Sequence, residues 1–321
     1  MTIPSPLVVG TRASELALRQ ANSIRNRLEA HGHQVDVQTV TTRGDEVTDV
    51  PVSEMGDEAV FTRALDQALL NGDIHFAVHS LKDIPTSVPD GITLAAIGPR
   101  EDPFDAFVAH PSFEGGLGDL PMKATLATAS LRRKAQLRTW RPDLNVVPVR
   151  GNVGTRLQKL MDSDWDGMVL AMAGLLRLGF SSWIRDRFDP DIMVPAVGQG
   201  ALGIACRADA PDLAERLRDL LHDEAVAAST RAERAFLRRV GGGCQVPLGA
   251  WARLKEERLV LDACIASLDG TEQYRGQSTC PPDEAEETGR TLAEELLDDG
   301  GAAVLDRILG DRSGRMAPFD S

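Results

Sequence analysis

Six arginines of this 321-residue chain stand where an expected strand hands over to an expected helix. Arg12 follows Leu7-Val8-Val9. Arg132 and Arg133 follow residues 124–128. Arg150 closes residues 146–149, with Arg156 in the next helix, and Arg177 follows residues 168–171. Strand C-termini of an open α/β sheet gather around one crevice, and ligands bind there. Helix N-termini at such a crevice favour anions. Guanidinium forks placed there would grip several carboxylates or phosphates at once. Two further residues invite chemistry. Asp83 follows an apolar strand and adjoins Lys82. A carboxylate so placed can move a proton or hold an N–H, or it can cap the turn before Pro85. Cys244 follows three glycines, which shield nothing, so its thiol is open to reaction or covalent attachment. Cys206 and Cys264 lie in apolar strands and read as core, whereas Cys280 precedes two prolines and reads as loop.

These residues need elements to hold them. After Arg12, Ser14 can cap a helix with Ala17, Ala21, Ile24 and Leu28 on one face, and Gly32 stops it. Val35, Val37 and Thr39 then alternate as a strand. Residues 44–59 show no period and read as a lid-like loop, followed by a helix over 60–70 and a strand over 74–78. A crossover at 99–103 opens a second set: strands at 105–109, 124–128, 146–150 and 167–172, with helices at 131–140 and 153–162. Gly198-Gln199-Gly200 forms a second crossover, and 202–206 returns a strand to the first set. A smaller unit follows, with strands at 248–254, 258–266 and 273–279 and a helix at 283–299. The tail after Gly310 is expected to fray. Two α/β lobes joined by two crossings describe a hinged protein with its ligand between the lobes.

Composition narrows the classes. Apolar residues make up 42% and charged residues 26%, as in a globular protein. A net charge of -13 argues against general nucleic-acid or anionic-membrane binding. Met1-Thr2-Ile3-Pro4 lacks the basic start and apolar core of a secretion signal, so a cytoplasmic location is expected. Gly198-x-Gly200-x-x-Gly203 fits a dinucleotide fingerprint by pattern only. The residues after it read as a strand, where that fingerprint needs a helix. The glycines therefore point to a hinge or a close backbone approach.

The segments Val78-His79-Ser80-Leu81-Lys82-Asp83-Ile84-Pro85, Ser130-Leu131-Arg132-Arg133, Arg150-Gly151-Asn152-Val153-Gly154-Thr155-Arg156, Pro195-Ala196-Val197-Gly198-Gln199-Gly200 and Gly242-Gly243-Cys244-Gln245-Val246-Pro247 resemble the porphobilinogen deaminase (hydroxymethylbilane synthase) family. So do Thr42-Arg43-Gly44-Asp45 and Arg100-Glu101-Asp102-Pro103, and the resemblance runs in order over nearly the whole chain. It implies an α/β protein of two periplasmic-binding-protein-like lobes joined by two crossovers, plus a smaller C-terminal α/β domain. The expected division is 1–99 with 201–218, then 100–200, then 219–321. It implies a dipyrromethane cofactor joined by a thioether to Cys244. Four porphobilinogen molecules would be condensed head to tail with loss of ammonia, giving hydroxymethylbilane for tetrapyrrole synthesis. Asp83 would be the main catalytic group. Lys82, Asp83, Thr128, Ser130, Arg132, Arg133, Arg150 and Gly151 would hold the cofactor. Arg12, Ser14, Arg150, Arg156, Arg177 and Gln199 would meet substrate. No metal is implied, and a monomer without nucleic-acid or membrane partners is expected.

The chain departs from the family pattern at two places. Gly56-Asp57-Glu58-Ala59 replaces a basic Gly-Gly-Lys-Gly stretch, and Ala129 replaces a serine. The competing class is a non-catalytic two-lobe anion-binding protein. It accounts for the arginines but gives no task to Asp83 or Cys244.

Overall fold

Strand β1 (Leu7–Arg12) sends Leu7 and Val9 into one core and packs Val8 against another. A strand that is apolar on both faces must be covered on both. Helix α1 (Glu15–Glu29) covers the first face with Ala21, Ile24 and Leu28. Its first turn is capped by Ser14, whose Oγ accepts the Ala17 N–H at 3.3 Å. Helix α2 (Arg63–Asn71) covers the other face with Leu65, Ala68 and Leu69. With β2 (Val35–Val40), β3 (Phe76–Ser80), β4 (Ile92–Arg100) and the much later β10 (Ala201–Arg207), β1 builds a sheet of order β2-β1-β3-β10-β4. The first three strands are parallel, and β10 runs antiparallel to β3 and β4. The computed structural model describes residues 3–41, 62–241, 243 and 246–315. The lid expected over 44–59, including Asp57 and Glu58, lies outside the described residues, as does Cys244.

The second lobe repeats the plan. Its strands are β5 (Asp105–Ala109), β6 (Thr125–Ala127), β7 (Asn145–Val147), β8 (Gly167–Ala171) and β9 (Asp186–Arg187), in the order β7-β6-β8-β5-β9. Again three strands are parallel, and β5 is antiparallel to its neighbours. Each sheet thus receives its central antiparallel strand from a crossover. The helices are α3 (Leu131–Trp140), α4 (Val153–Met161) and α5 (Met172–Leu178). Helix α6 (Pro211–Leu221) returns to the first lobe, where Leu213, Leu217 and Leu221 join its core. A third core forms between α7 (Glu224–Val240), the antiparallel strands β11 (Leu248–Lys255), β12 (Arg258–Ala266) and β13 (Gln273–Cys280), and helices α8 (Ala285–Leu296) and α9 (Ala302–Arg315).

Several expectations shift. The strand expected at 74–78 begins two residues later, because Gly72 ends α2 in the left-handed region and Ile74 N–H still bonds back to Ala68. The helix expected over 283–299 breaks after Leu296 in a wide turn containing Gly300 at φ 133°. Helix then continues to Arg315, where the tail was expected to fray from Gly310. Cys280 ends β13 inside the third core and is not a loop residue. The strand at 201–207 removes any dinucleotide reading of Gly198-x-Gly200-x-x-Gly203. The close approach is real: at φ +87°, a Cβ on Gly200 would lie 2.3 Å from the Glu101 carbonyl oxygen.

One buried carboxylate ties both crossovers to the third unit. Glu233 of α7 is 0% exposed. It accepts Arg100 Nη1 at 2.6 Å and Nη2 at 3.2 Å, the Gly198 N–H at 2.7 Å and the Ala252 N–H at 2.8 Å. Arg100 closes β4, Gly198 opens the second crossover, and Ala252 lies in β11. Removing one partner of a buried pair leaves the other charge uncompensated, at a cost of about 3–5 kcal/mol. Glu233→Ala is therefore expected to lower unfolding free energy by about that much in urea titration. A loss under about 1 kcal/mol would mean that water replaces the carboxylate and the crossovers do not depend on it.

Candidate active site

The crevice faces the C-terminal ends of β1 and β3 on one side and of β6, β7 and β8 on the other. Helix N-termini converge there for local reasons. Ser130 Oγ accepts the Arg133 N–H at 3.4 Å, and Asn152 Oδ1 accepts the Thr155 N–H at 2.8 Å. Thr128 Oγ1 accepts the Ser130 N–H at 3.3 Å and shapes the turn into α3. Gly151 takes φ +112°, and a Cβ there would meet Thr155 at 2.6 Å, so the turn itself demands glycine.

On the first lobe a cleft is lined by Arg12, Ser14, Gln20, His79, Ser80 and Asp83. Gln20 Nε2 donates to Ser80 Oγ at 2.9 Å and holds that hydroxyl in the wall. Asp83 ends a single 3-10 turn, Leu81–Asp83, directly after β3. No described residue donates a hydrogen bond to its half-buried carboxylate, so a turn cap lacks the bond that would define it. Lys82 stands beside it. Burial lowers the Lys82 pKa, and the charge of Asp83 opposes that shift. His79 is buried, and its pKa falls to about 4 through burial and the nearby Arg12 charge. It is therefore a neutral imidazole at physiological pH.

On the second lobe the arginines are sorted by their partners. Arg132 and Arg133 are buried, and both face Asp105, the first residue of β5. Arg132 reaches Asp105 Oδ2 at 2.7 Å and Oδ1 at 3.1 Å, and also the Val194 carbonyl at 2.8 Å. Arg133 Nε reaches Asp105 Oδ1 at 2.9 Å, and its Nη1 reaches the Val169 carbonyl at 3.0 Å. Burial alone would raise the Asp105 pKa, but the two guanidinium groups hold it well below the usual carboxylate range. Arg156 Nε donates to the Gly151 carbonyl at 2.8 Å. Its pKa drops to about 10 through burial and repulsion from Arg133 and Arg150. Arg133, Arg150 and Arg156 thus stand close to one another on this wall.

Arg177 departs from the common pattern. It lies in the last turn of α5, at the far end from β8, and its Nη2 donates to the Gly200 carbonyl at 2.6 Å. Burial lowers its pKa, and Glu101 opposes. It braces the second crossover. Gln199 sits between the lobes: its Nε2 donates to the Pro103 carbonyl at 2.7 Å and to Asp105 Oδ1 at 3.1 Å, and its Oε1 accepts Lys82 Nζ at 3.4 Å. Sequence reasoning missed Asp105 and Glu233. Both carried a signal, since each is a lone acid in an otherwise apolar stretch of strand or helix face.

Residues 7–215 match the family model described as porphobilinogen deaminase, dipyromethane cofactor binding domain, and residues 227–298 match porphobilinogen deaminase, C-terminal domain. The chain is 46% identical over 301 residues to porphobilinogen deaminase of Syntrophomonas wolfei, covering 93% of this chain and 97% of that one. It is 47% identical over 306 residues to porphobilinogen deaminase of Desulforudis audaxviator, covering 94% and 97%. Among solved structures, it is similar to an ABC transporter periplasmic substrate-binding protein from Coxiella burnetii, at TM-score 0.43 and 14% identity over 71% of this chain and 96% of that chain.

The buried imidazole gives a pH signature. The His79 pKa falls from 6.5 to about 4 on folding, so the unfolded chain binds more protons between those values. Stability from this group is complete above pH 6.5 and is lost as pH falls towards 4. Urea titrations of wild type and His79→Gln should diverge in slope across that window, by up to about 3 kcal/mol. Parallel curves would show that His79 is solvated.

Proposed function

The chain belongs to the porphobilinogen deaminase family, and on that premise we propose that Asp83 is its catalytic carboxylate and Cys244 the attachment point of its cofactor. It is a transferase of tetrapyrrole synthesis with a dipyrromethane cofactor-binding domain. The observation that carries the assignment of Asp83 is its place in the turn after β3, lining the cleft with Arg12 and Ser14, with no hydrogen bond donated to its carboxylate by any described residue.

The residues present fit a dipyrromethane. Arg156 is half-buried beside Arg133 and Arg150, and guanidinium groups clustered in this way favour an anionic ligand. Arg132, Arg133, Arg150 and Lys82, with the helix ends at Thr128, Ser130 and Gly151, would hold its carboxylates. Once bound, the cofactor supplies the pyrrole carbon on which the chain grows. The protein supplies the rest. Arg12, Ser14 and Arg156 would meet the acetate and propionate groups of incoming porphobilinogen, while Arg177 and Gln199, expected from the sequence to meet substrate, would support the site through the second crossover. Asp83 would hold the pyrrole N–H and stabilise the positive charge that ammonia loss leaves on the substrate.

We also propose the division into three units given by the sequence, and a cytoplasmic monomer without nucleic-acid or membrane partners. The net charge of -13 supports the lack of nucleic-acid binding. Among the described residues no helix is long and apolar enough to cross a membrane.

Asp83→Asn keeps the shape and removes the charge. It should retain a two-pyrrole adduct on the Cys244 peptide in mass mapping while turnover falls roughly 100-fold or more. Turnover within about threefold of wild type would exclude Asp83 from the chemistry. An unmodified Cys244 in active enzyme would remove the attachment assignment independently.

A further inference from the structure

We propose that Asp105 is a positioning residue for the reaction, one that aligns the arginine wall of the second lobe with the Lys82–Asp83 pair of the first. This rests on the reading of Asp83 as the catalytic carboxylate. Asp105 touches neither that carboxylate nor the cleft lined by Arg12 and Ser14, and it is 0% exposed. Its contacts run from the second lobe to the second crossover. Arg132 and Arg133 fix their guanidinium planes on its two oxygens, and Gln199 Nε2 donates to Oδ1. The Gln199 amide then has one workable orientation. Its NH2 must face the carboxylate, which accepts only, and its oxygen must face the Lys82 ammonium, which donates only. Turning the amide over would set oxygen against carboxylate and NH2 against ammonium. The Pro103 carbonyl and the Asp105 carboxylate together select the amide orientation, and the amide oxygen holds Lys82 Nζ at 3.4 Å.

The relay crosses between the lobes at the crossovers. The Gln199 carbonyl accepts Arg100 Nε at 3.0 Å, and its side chain also grips the Pro103 carbonyl. Movement of one lobe on the other would have to pass through these bonds. The groups acting on Lys82 are Asp83, Arg133, Asp105 and Arg132, in falling order. Asp83 and Asp105 favour its charged form, and the two arginines oppose it. Loss of Asp105, or of the amide oxygen, removes support for the ammonium. A simple structural ion pair would need neither the bond to Gln199 nor the one from Gln199 to Lys82.

The test uses Gln199→Met, which keeps side-chain length, leaves both arginine pairs on Asp105 and cuts the relay. Asp105→Asn is a second variant, which strands two buried guanidinium groups and so risks misfolding. Two readouts are needed. The first is steady-state kinetics on preparations whose intact mass shows the pyrrole starter. The second is acylation of Lys82 across pH with acetic anhydride, followed by peptide mapping, which needs no turnover. The expected result for Gln199→Met is a kcat lower by roughly 10- to 100-fold, with KM little changed, and a Lys82 acylation midpoint moved to lower pH. A lower melting temperature with kcat and the midpoint unchanged would overturn the proposal and leave Asp105 a structural ion pair. A kcat loss with an unmoved midpoint would overturn it too, because the loss would not run through Lys82. Failure of the underlying reading is separate, since it appears as full turnover in Asp83→Asn.

Discussion

Two buried guanidinium groups cannot be cancelled by one carboxylate, and the second lobe is built around that imbalance. Asp105 absorbs the geometry of Arg132 and Arg133 but only half of their charge. Arg156 stands close to Arg133 and Arg150, and burial together with their charges lowers its pKa. A fold would not stabilise such a wall for its own sake, because each buried cation carries a desolvation penalty that only a partner offsets. An anionic ligand with several carboxylates fits such a wall. The whole chain carries -13, so the positive field is local to the crevice and opposite to that of the surface.

The same logic explains why the crossovers are locked. Glu233 holds Arg100 and Gly198, Arg177 holds the Gly200 carbonyl, and Arg234 of α7 donates to the Ile84 and Pro85 carbonyls at 3.0 and 2.6 Å. Helix α7 therefore touches both crossovers and the loop directly after Asp83. That helix ends at Gly241, three residues before Cys244. The helix that precedes the proposed attachment cysteine in sequence is thus anchored to the loop directly after the proposed catalytic carboxylate.

Much of this was legible in the sequence. Alternation and capping gave helix α3 at 131–140 and strands β5 and β12 without a shift, because their apolar patterns are bounded by strong local signals. The return of β10 to the first lobe was legible from a strand pattern following a glycine crossover, whereas its antiparallel direction was not. Local signals failed where tertiary contacts decide. Gly300 breaks one expected helix into two, and Cys280 is drawn into a core that its following prolines concealed. The arginines were legible as a set, but their partners were not. Asp105 lies 27 and 28 residues from Arg132 and Arg133, and Glu233 lies 133 residues from Arg100, so only the fold could join them. Arg177 followed the pattern by spacing, yet it turned to a backbone carbonyl one helix length away.

The central claim is that this crevice grows an anionic pyrrole chain covalently on the protein under the control of Asp83. Its most direct test is native mass spectrometry of the enzyme mixed with substoichiometric porphobilinogen. The account predicts a ladder of covalent species, each heavier by one porphobilinogen less ammonia. The ladder should be absent in Asp83→Asn even when the two-pyrrole starter is present. A protein that binds porphobilinogen only as intact, dissociable units, with no covalent ladder in the wild type, would contradict it.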